Sequence, residues 1–368
     1  MPLKIIIDHI GNKELERIAE KVLSGQRITT GEALMLYMEA DLPLLAFMAG
    51  SVRRRINGNM AFFNRNIHIE PTNICIHNCL FCSYRRPAND PESWDYSHEE
   101  ILEKIRQFNS SKITEVHITG GVHPARDIHY YGELVRKIKE TRPDLHVKAF
   151  SAIELDNMIR RAGLSIEDGL RMIRGYGVDS IPGGGAEIFD EELRKKICPG
   201  KTLPALWLEI HETAHRLGLM SNATMLYGHI ETYSHRVDHM ERLRSLQDKT
   251  RGFNAFIPLK FRKANNSMEE LDEVSLVEDM RNYAVARIFL DNIAHIKAYW
   301  PMIGREAAQI SLLFGTDDLD GTIEDTTKIY SMAGAGDKNP VMTVDNIKKL
   351  IVDAGFQPVE RDSLYNAL

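Results

Sequence analysis

Apolar and polar positions change their rhythm along this chain. Over residues 12–57 apolar side chains recur at helical spacing, with Thr30 as a helix N-cap candidate and Leu34, Leu36, Tyr37, Leu42, Leu45 and Phe47 following it. The basic run Arg53–Arg55 closes that segment, where cations suit the negative end of a helix. From about residue 66 short β-rich runs alternate with longer amphipathic stretches. Strands are predicted over Asn66–Glu70, Glu115–Thr119, His146–Phe150, Ser180–Ile181 with Val178 ahead of it, Leu219–Thr224, Gly252–Ile257, Ala294–Tyr299 and Gln309–Leu313. Helices are predicted over His98–Asn109, Tyr131–Thr141, Ser165–Tyr176, Leu203–Leu217, His235–Asp248 and Leu276–Leu290. Strands that alternate with helices pair in parallel, with the helices packed outside the sheet. Eight of them over roughly 250 residues match an α/β fold of the (β/α)8 TIM-barrel type, with a doubly wound open sheet as the alternative. The expected organisation is an N-terminal helical segment at 1–60 packed on a barrel at 61–321. A C-terminal accessory segment follows at 322–368, with a helix over Val344–Ala354.

Composition narrows the class. With 368 residues, 43% of them hydrophobic and 27% charged, the chain matches an ordinary globular enzyme. A net charge of −6 argues against a general binder of nucleic acid or of membrane surfaces, while leaving room for a local basic pocket. The start MPLKIIIDHIGN lacks the apolar core of a signal peptide, and no window approaches the roughly 18 apolar residues of a bilayer span. The expected location is cytoplasmic, where thiols stay reduced. Of four cysteines, three crowd into residues 75–82, which suits metal ligation better than disulfides. Cys198 stands apart and reads as a small buried apolar residue.

In a barrel, chemistry gathers on the loops that follow the strands. The segment Cys75-Ile-His-Asn-Cys79-Leu-Phe-Cys82 begins five residues past Glu70, directly after the first predicted strand. Three thiolates in this C-x3-C-x2-C spacing can each take one iron of a [4Fe–4S] cubane, leaving the fourth iron without a protein ligand. S-adenosylmethionine (SAM) chelates such an iron through its amino and carboxylate groups and is then cleaved by reduction. Two other readings stay open: a structural zinc with His77 as fourth ligand, and an electron-transfer cluster with Cys198 as its fourth. Further candidates sit at the other strand ends. Thr119-Gly120-Gly121 suits the methionine end of SAM or makes a plain turn. Glu154 suits the ribose hydroxyls or the SAM ammonium. Gly183–Gly185 open space beside a nucleotide, and Glu187 with Arg194 suits the charged amino-acid end. His229 follows the fifth strand, and His295, Lys297 and Tyr299 share one face of the seventh, a set that suits an anionic aromatic substrate. Asp317, Asp318 and Asp320 with Gly321 either reach a sugar or amine, or form a polar turn.

Taken together, these residues resemble the radical SAM superfamily, whose cysteine spacing after a first strand is that of Cys75–Cys82. His117-Ile-Thr-Gly-Gly-Val-His-Pro124, Gly183-Gly-Gly-Ala-Glu-Ile188, Ala223-Thr-Met-Leu-Tyr-Gly-His229 and Phe256-Ile-Pro258 are similar to its futalosine-pathway branch, used in menaquinone biosynthesis. His295-Ile-Lys-Ala-Tyr-Trp300 and Asp317-Asp-Leu-Asp-Gly-Thr322 resemble the adenosyl-transferring synthases of that branch rather than its cyclising members. The likeness covers about residues 60–335. It implies that an adenosyl radical adds to the enolpyruvyl double bond of 3-[(1-carboxyvinyl)oxy]benzoate. The adduct then rearranges onto the arene ring and loses carbon dioxide, giving 6-amino-6-deoxyfutalosine. SAM is then a cosubstrate, and a reductant such as flavodoxin or ferredoxin is implied. Two substrate carboxylates call for basic groups, for which His229, His295, Lys297 and Arg262 are the candidates. The alternatives are a radical SAM cyclase and a non-catalytic metal or electron-transfer protein.

Overall fold

Capping chemistry starts the N-terminal helices close to where the apolar rhythm places them. The computed structural model describes residues 11–108, 112–323, 327–336 and 340–368, so the first ten residues and Asn109 of the predicted His98–Asn109 helix lie outside the described residues. Helices run over Lys13–Leu23, Thr30–Glu39 and Leu42–Asn57. The cap of the second is Thr29, one residue before the expected Thr30. Its hydroxyl accepts the Glu32 amide while the Glu32 carboxylate accepts the Thr29 amide. The second and third of these pack on the barrel helix Leu276–Phe289, the first packs on them, and the Tyr37 hydroxyl donates to Asn282 at 2.7 Å.

Strand β1 (Met60–Asn64) leads into β2 (Asn66–Ile69), β3 (Glu115–Ile118), β4 (His146–Ala149), β5 (Ser180–Ile181), β6 (Met220–Tyr227), β7 (Phe253–Lys260) and β8 (His295–Ile296). Strands β2 to β8 pair in chain order, every pair parallel. The result is a curled sheet with outer helices, a partial (β/α)8 TIM-type barrel. The predicted eighth strand, Gln309–Leu313, is instead helical, split between Arg305–Ser311 and a 3-10 turn at Leu312–Phe314. A short apolar run does not reveal its period, and here Gly304 and Gly315, both at positive φ, bracket the helical stretch.

The eighth position is taken by β9 (Asp318–Gly321), which pairs in parallel with β1 and meets β8 through the Lys297–Asp318 bridge. Just past β9, the Thr322 amide donates to the Asn64 carbonyl at 3.2 Å, and the Ile323 amide donates to Asn66 Oδ1 at 3.0 Å, which ties this edge to the start of β2. Three aspartates made this run an unpromising strand. Each is nonetheless paired: Asp317 with His295, Asp318 with Arg361 and Asp320 with Lys297.

The tail completes the assembly. After the helix Val344–Asp353, β10 (Gln357–Glu360) pairs with β1. Tyr365 then stacks on His295 with ring centroids 3.7 Å apart, and the Arg361 guanidinium donates to Asp318 at 2.6 Å with both side chains buried. Among the described residues no helix is long and apolar enough to cross a membrane. Because Arg361→Ala strands a buried carboxylate, it is expected to destabilise the chain by about 3–5 kcal/mol. Denaturant unfolding of the full chain checks this, and a loss below about 1 kcal/mol would show the pair to be dispensable.

Candidate active site

A cavity of about 310 Å³ opens among the loops that follow the strands. Cys75, Cys79 and Cys82 line it, each half-buried on one loop after β2. That loop is firmly held. The Tyr84 hydroxyl donates to the Thr72 carbonyl at 2.9 Å, Thr72 Oγ1 to the Trp94 carbonyl at 2.8 Å, and the Cys82 amide to the Cys79 carbonyl at 3.1 Å. Burial pushes the Cys79 thiol up to about 12 and the Cys82 thiol up as well, so iron must displace their protons on binding. Among the described residues no trio of His, Cys, Asp or Glu side chains converges on a single ion position. Cubane ligands need no such convergence, because each takes a different iron. Three soft thiolates on one compact loop facing one cavity therefore fit a [4Fe–4S] group.

Thr119, Gly120 and Gly121 also line the cavity, and the glycines have a second duty. A Cβ on Gly121 would stand 2.3 Å from the Ile74 carbonyl oxygen, and one on Gly120 2.7 Å from that of Thr72. The bare backbone lets the cysteine loop lie against β3's exit, sealed by the Gly121 amide donating to Thr72 at 2.7 Å. Glu154 sits behind this contact rather than on the cavity wall. It is the capping-box residue of helix Ala152–Arg161, accepting from the Ser151 amide at 2.8 Å and from Thr119 Oγ1 at 3.2 Å. Burial carries its carboxyl up to about 7 despite those donors.

After β5, Glu187 lines the cavity and accepts from Lys201 Nζ at 2.5 Å. Arg194 lies outside the wall. Its buried guanidinium donates to the carbonyls of Ala186 and Thr202 at 2.6 Å each, clamping the loop that carries Glu187. Lys297 reaches the cavity, paired with Asp320 at 2.5 Å, and so does Arg262, paired with Glu273 at 3.0 Å.

Neither His229 nor His295 lines the cavity. The His229 Nδ1 lies 3.3 Å from Glu231, which is itself ion-paired with Arg236. His295 lies beneath Lys297, held by Asp317 and by its stack on Tyr365. Alternation along β8 placed His295 on the correct face, but at a depth the tail fills. Asp317 and Asp318 likewise serve closure, and only Asp320 of that run touches the cavity.

Sequence reasoning missed most of the inner wall. Glu115 and Lys148 form a buried pair at 2.5 Å, and the His68 and His117 rings meet edge to face at 4.7 Å. His68 also stacks on Tyr299 at 6.1 Å. Both the Tyr299 hydroxyl and His117 Nε2 are buried without a hydrogen-bond partner among the described residues. Charged residues inside short β-rich runs were the available signal, because strands tolerate them only when something pairs them.

The glycine contact generates a test. Gly121→Ala is expected to displace the cysteine loop and leave less than about half the wild-type iron after anaerobic reconstitution. Gly175→Ala, where a Cβ would meet nothing within 4 Å, serves as the control and keeps its iron. Equal iron in both variants would show that the close approach is not needed.

Comparison with known proteins now bears on this geometry. The family model for the radical SAM superfamily matches residues 69–243, and that for the CofH/MqnC C-terminal region matches residues 250–368. Aminodeoxyfutalosine synthase of Thermus thermophilus is 43% identical over 97% of this chain and 96% of its own. Cyclic dehypoxanthine futalosine synthase of Streptomyces coelicolor is 37% identical over 96% of this chain and 89% of its own. The solved structure of methylornithine synthase (PylB) shares the fold, with a TM-score of 0.74 at 18% identity over 93% of this chain and 97% of that one. A cavity-facing trio of thiols on a partial barrel and full-length similarity to enzymes of this kind agree: the chain belongs to the radical SAM superfamily, enzymes that use a [4Fe–4S] cluster and SAM.

Proposed function

We propose that this chain is an aminofutalosine synthase, also called aminodeoxyfutalosine synthase. It joins the adenosyl group of SAM to 3-[(1-carboxyvinyl)oxy]benzoate, with loss of carbon dioxide, to give 6-amino-6-deoxyfutalosine. The observation that carries this reading is one cavity with two chemically different linings. Three thiols line it, together with buried ion pairs and unpartnered hydrogen-bonding groups. The likeness to the Thermus thermophilus synthase over nearly the whole chain supports it.

In this reading Cys75, Cys79 and Cys82 hold the cluster, which with SAM supplies an adenosyl radical. Thr119, Gly120 and Gly121 flank the methionine end, and the Glu187 carboxylate receives the SAM ammonium. Glu154 and Arg194 act from behind as positioning residues, one holding the Thr119–Gly121 loop and the other the Glu187 loop. Substrate carboxylates meet Lys297, the Tyr299 hydroxyl and His117 Nε2, with Arg262 nearer the mouth. Ile257, Leu259 and Phe261 line the same space and keep water from the reacting centre. The helical segment at 1–60, the barrel at 61–321 and the segment at 322–368 work as one catalytic unit in the cytoplasm, reduced by a flavodoxin or ferredoxin.

Anaerobic protein given dithionite, SAM and the enol ether is expected to release carbon dioxide and a nucleoside whose mass includes the adenosyl carbons. Free 5′-deoxyadenosine formed in step with turnover would point to the cyclase instead. No SAM-dependent product would defeat both readings. On the substrate side, Tyr299→Phe is expected to raise KM for the enol ether by about 10-fold or more, the effect of losing a hydrogen bond to a charged group. An unchanged KM would remove Tyr299 from the substrate site.

A further inference from the structure

Lys201 drew no attention as sequence, yet it lies where the two functional loops meet. It follows helix Glu191–Ile197, whose last carbonyl accepts the Leu80 amide of the cysteine loop at 2.7 Å. Its ammonium stands 5.5 Å from the centre of the Phe81 ring, between Cys79 and Cys82 in the chain, and bonds the Glu187 carboxylate. Both side chains are nearly enclosed, with 12% of Lys201 and 10% of Glu187 exposed. Burial disfavours the charge on Lys201, and the Glu187 carboxylate bonded to its ammonium favours it. Fixed charges in such an enclosed position act on their neighbours with little screening.

We infer that Lys201 and Glu187 form an opposed charge pair that sets the reduction potential of the cluster held by Cys75, Cys79 and Cys82. The inference rests on that assignment of the cluster. Reduction brings one electron from the external reductant onto the cluster; no bond forms or breaks, and one negative charge is added beside Lys201. The ammonium favours that charge and the Glu187 carboxylate opposes it. The two side chains touch, so each holds the other's influence in check. When Glu187 turns to the SAM ammonium, Lys201 is left facing the cluster, and SAM arrival favours the electron it needs.

The test is a redox titration of reconstituted full-length protein without SAM, followed by electron paramagnetic resonance of the reduced cluster. At a fixed potential, Lys201→Met is expected to lower the reduced-to-oxidised ratio about tenfold, equivalent to about 59 mV for a one-electron couple. Glu187→Gln is expected to raise it by a similar factor. Lys201→Arg, which keeps the charge, should stay within about threefold of wild type, and so should Lys297→Met, which removes a cation that Asp320 already pairs. Shifts of the same sign in Lys201→Met and Glu187→Gln would overturn the inference, because disturbed packing has no reason to follow charge. So would shifts below about threefold in both. If Lys201→Met cannot hold iron, Glu187→Gln and Lys201→Arg decide alone. Wild-type protein that takes up no iron would overturn the cluster reading itself, a separate failure from potentials that do not move.

Discussion

A charge placed inside a barrel must find its opposite there, and much of this structure follows from that demand. Leaving one buried ion alone costs several kcal/mol, more than a short strand gains from its ladder. Strand β9 and the residue before it bring three carboxylates into the interior, and each is met by a different part of the chain. Asp317 meets His295 at the start of β8, Asp320 meets Lys297 just beyond it, and Asp318 meets Arg361 from the tail. The closing strand is therefore placed by its charges as much as by hydrogen bonds. For the same reason Arg361 of the C-terminal segment is part of the barrel's interior.

This also explains what the sequence could and could not disclose. The alternation of β-rich runs and amphipathic stretches is a local property, and β2 to β8 stand close to where it placed them. Gln309–Leu313 failed as a strand because five apolar-rich residues do not show their period, while Asp318–Gly321 was passed over because its residue types disfavour strands. The partners that reverse that preference lie at Lys297 and Arg361, 23 residues before Asp320 and 43 after Asp318. No window-based reading connects them. The cysteine trio was legible because all its chemistry sits within one short loop.

The supporting residues were half legible. Glu154 and Arg194 read as ligand contacts in the sequence. In the structure the first caps a helix and steadies Thr119, and the second gathers the carbonyls of Ala186, Ile188 and Thr202. A charged residue close to a glycine loop has the same sequence signature whether it touches a ligand or holds the loop that does. Depth separates the two cases, and depth is a tertiary quantity. His295 makes the same point along β8, where period two gives its face and only the packing of Tyr365 gives its level.

Pairing of interior charges has a chemical consequence as well. Lys148 and Lys297 reach the cavity already neutralised by Glu115 and Asp320, and burial keeps His68 and His117 in their neutral forms. In the proposed function an arriving carboxylate is thus held chiefly by hydrogen bonds from groups such as Tyr299, with little net positive charge beneath it. Such a wall is selective, because an uncharged analogue leaves buried polar groups unmatched. It is also weakly stabilising toward the anion itself. In the proposed reaction one carboxylate departs as carbon dioxide, and the charge that a tight ion pair would fix in place must be given up. A carboxylate held without a strong counter-ion surrenders less stabilisation on the way to the transition state, so the neutral wall favours the step that a bare lysine or arginine would resist.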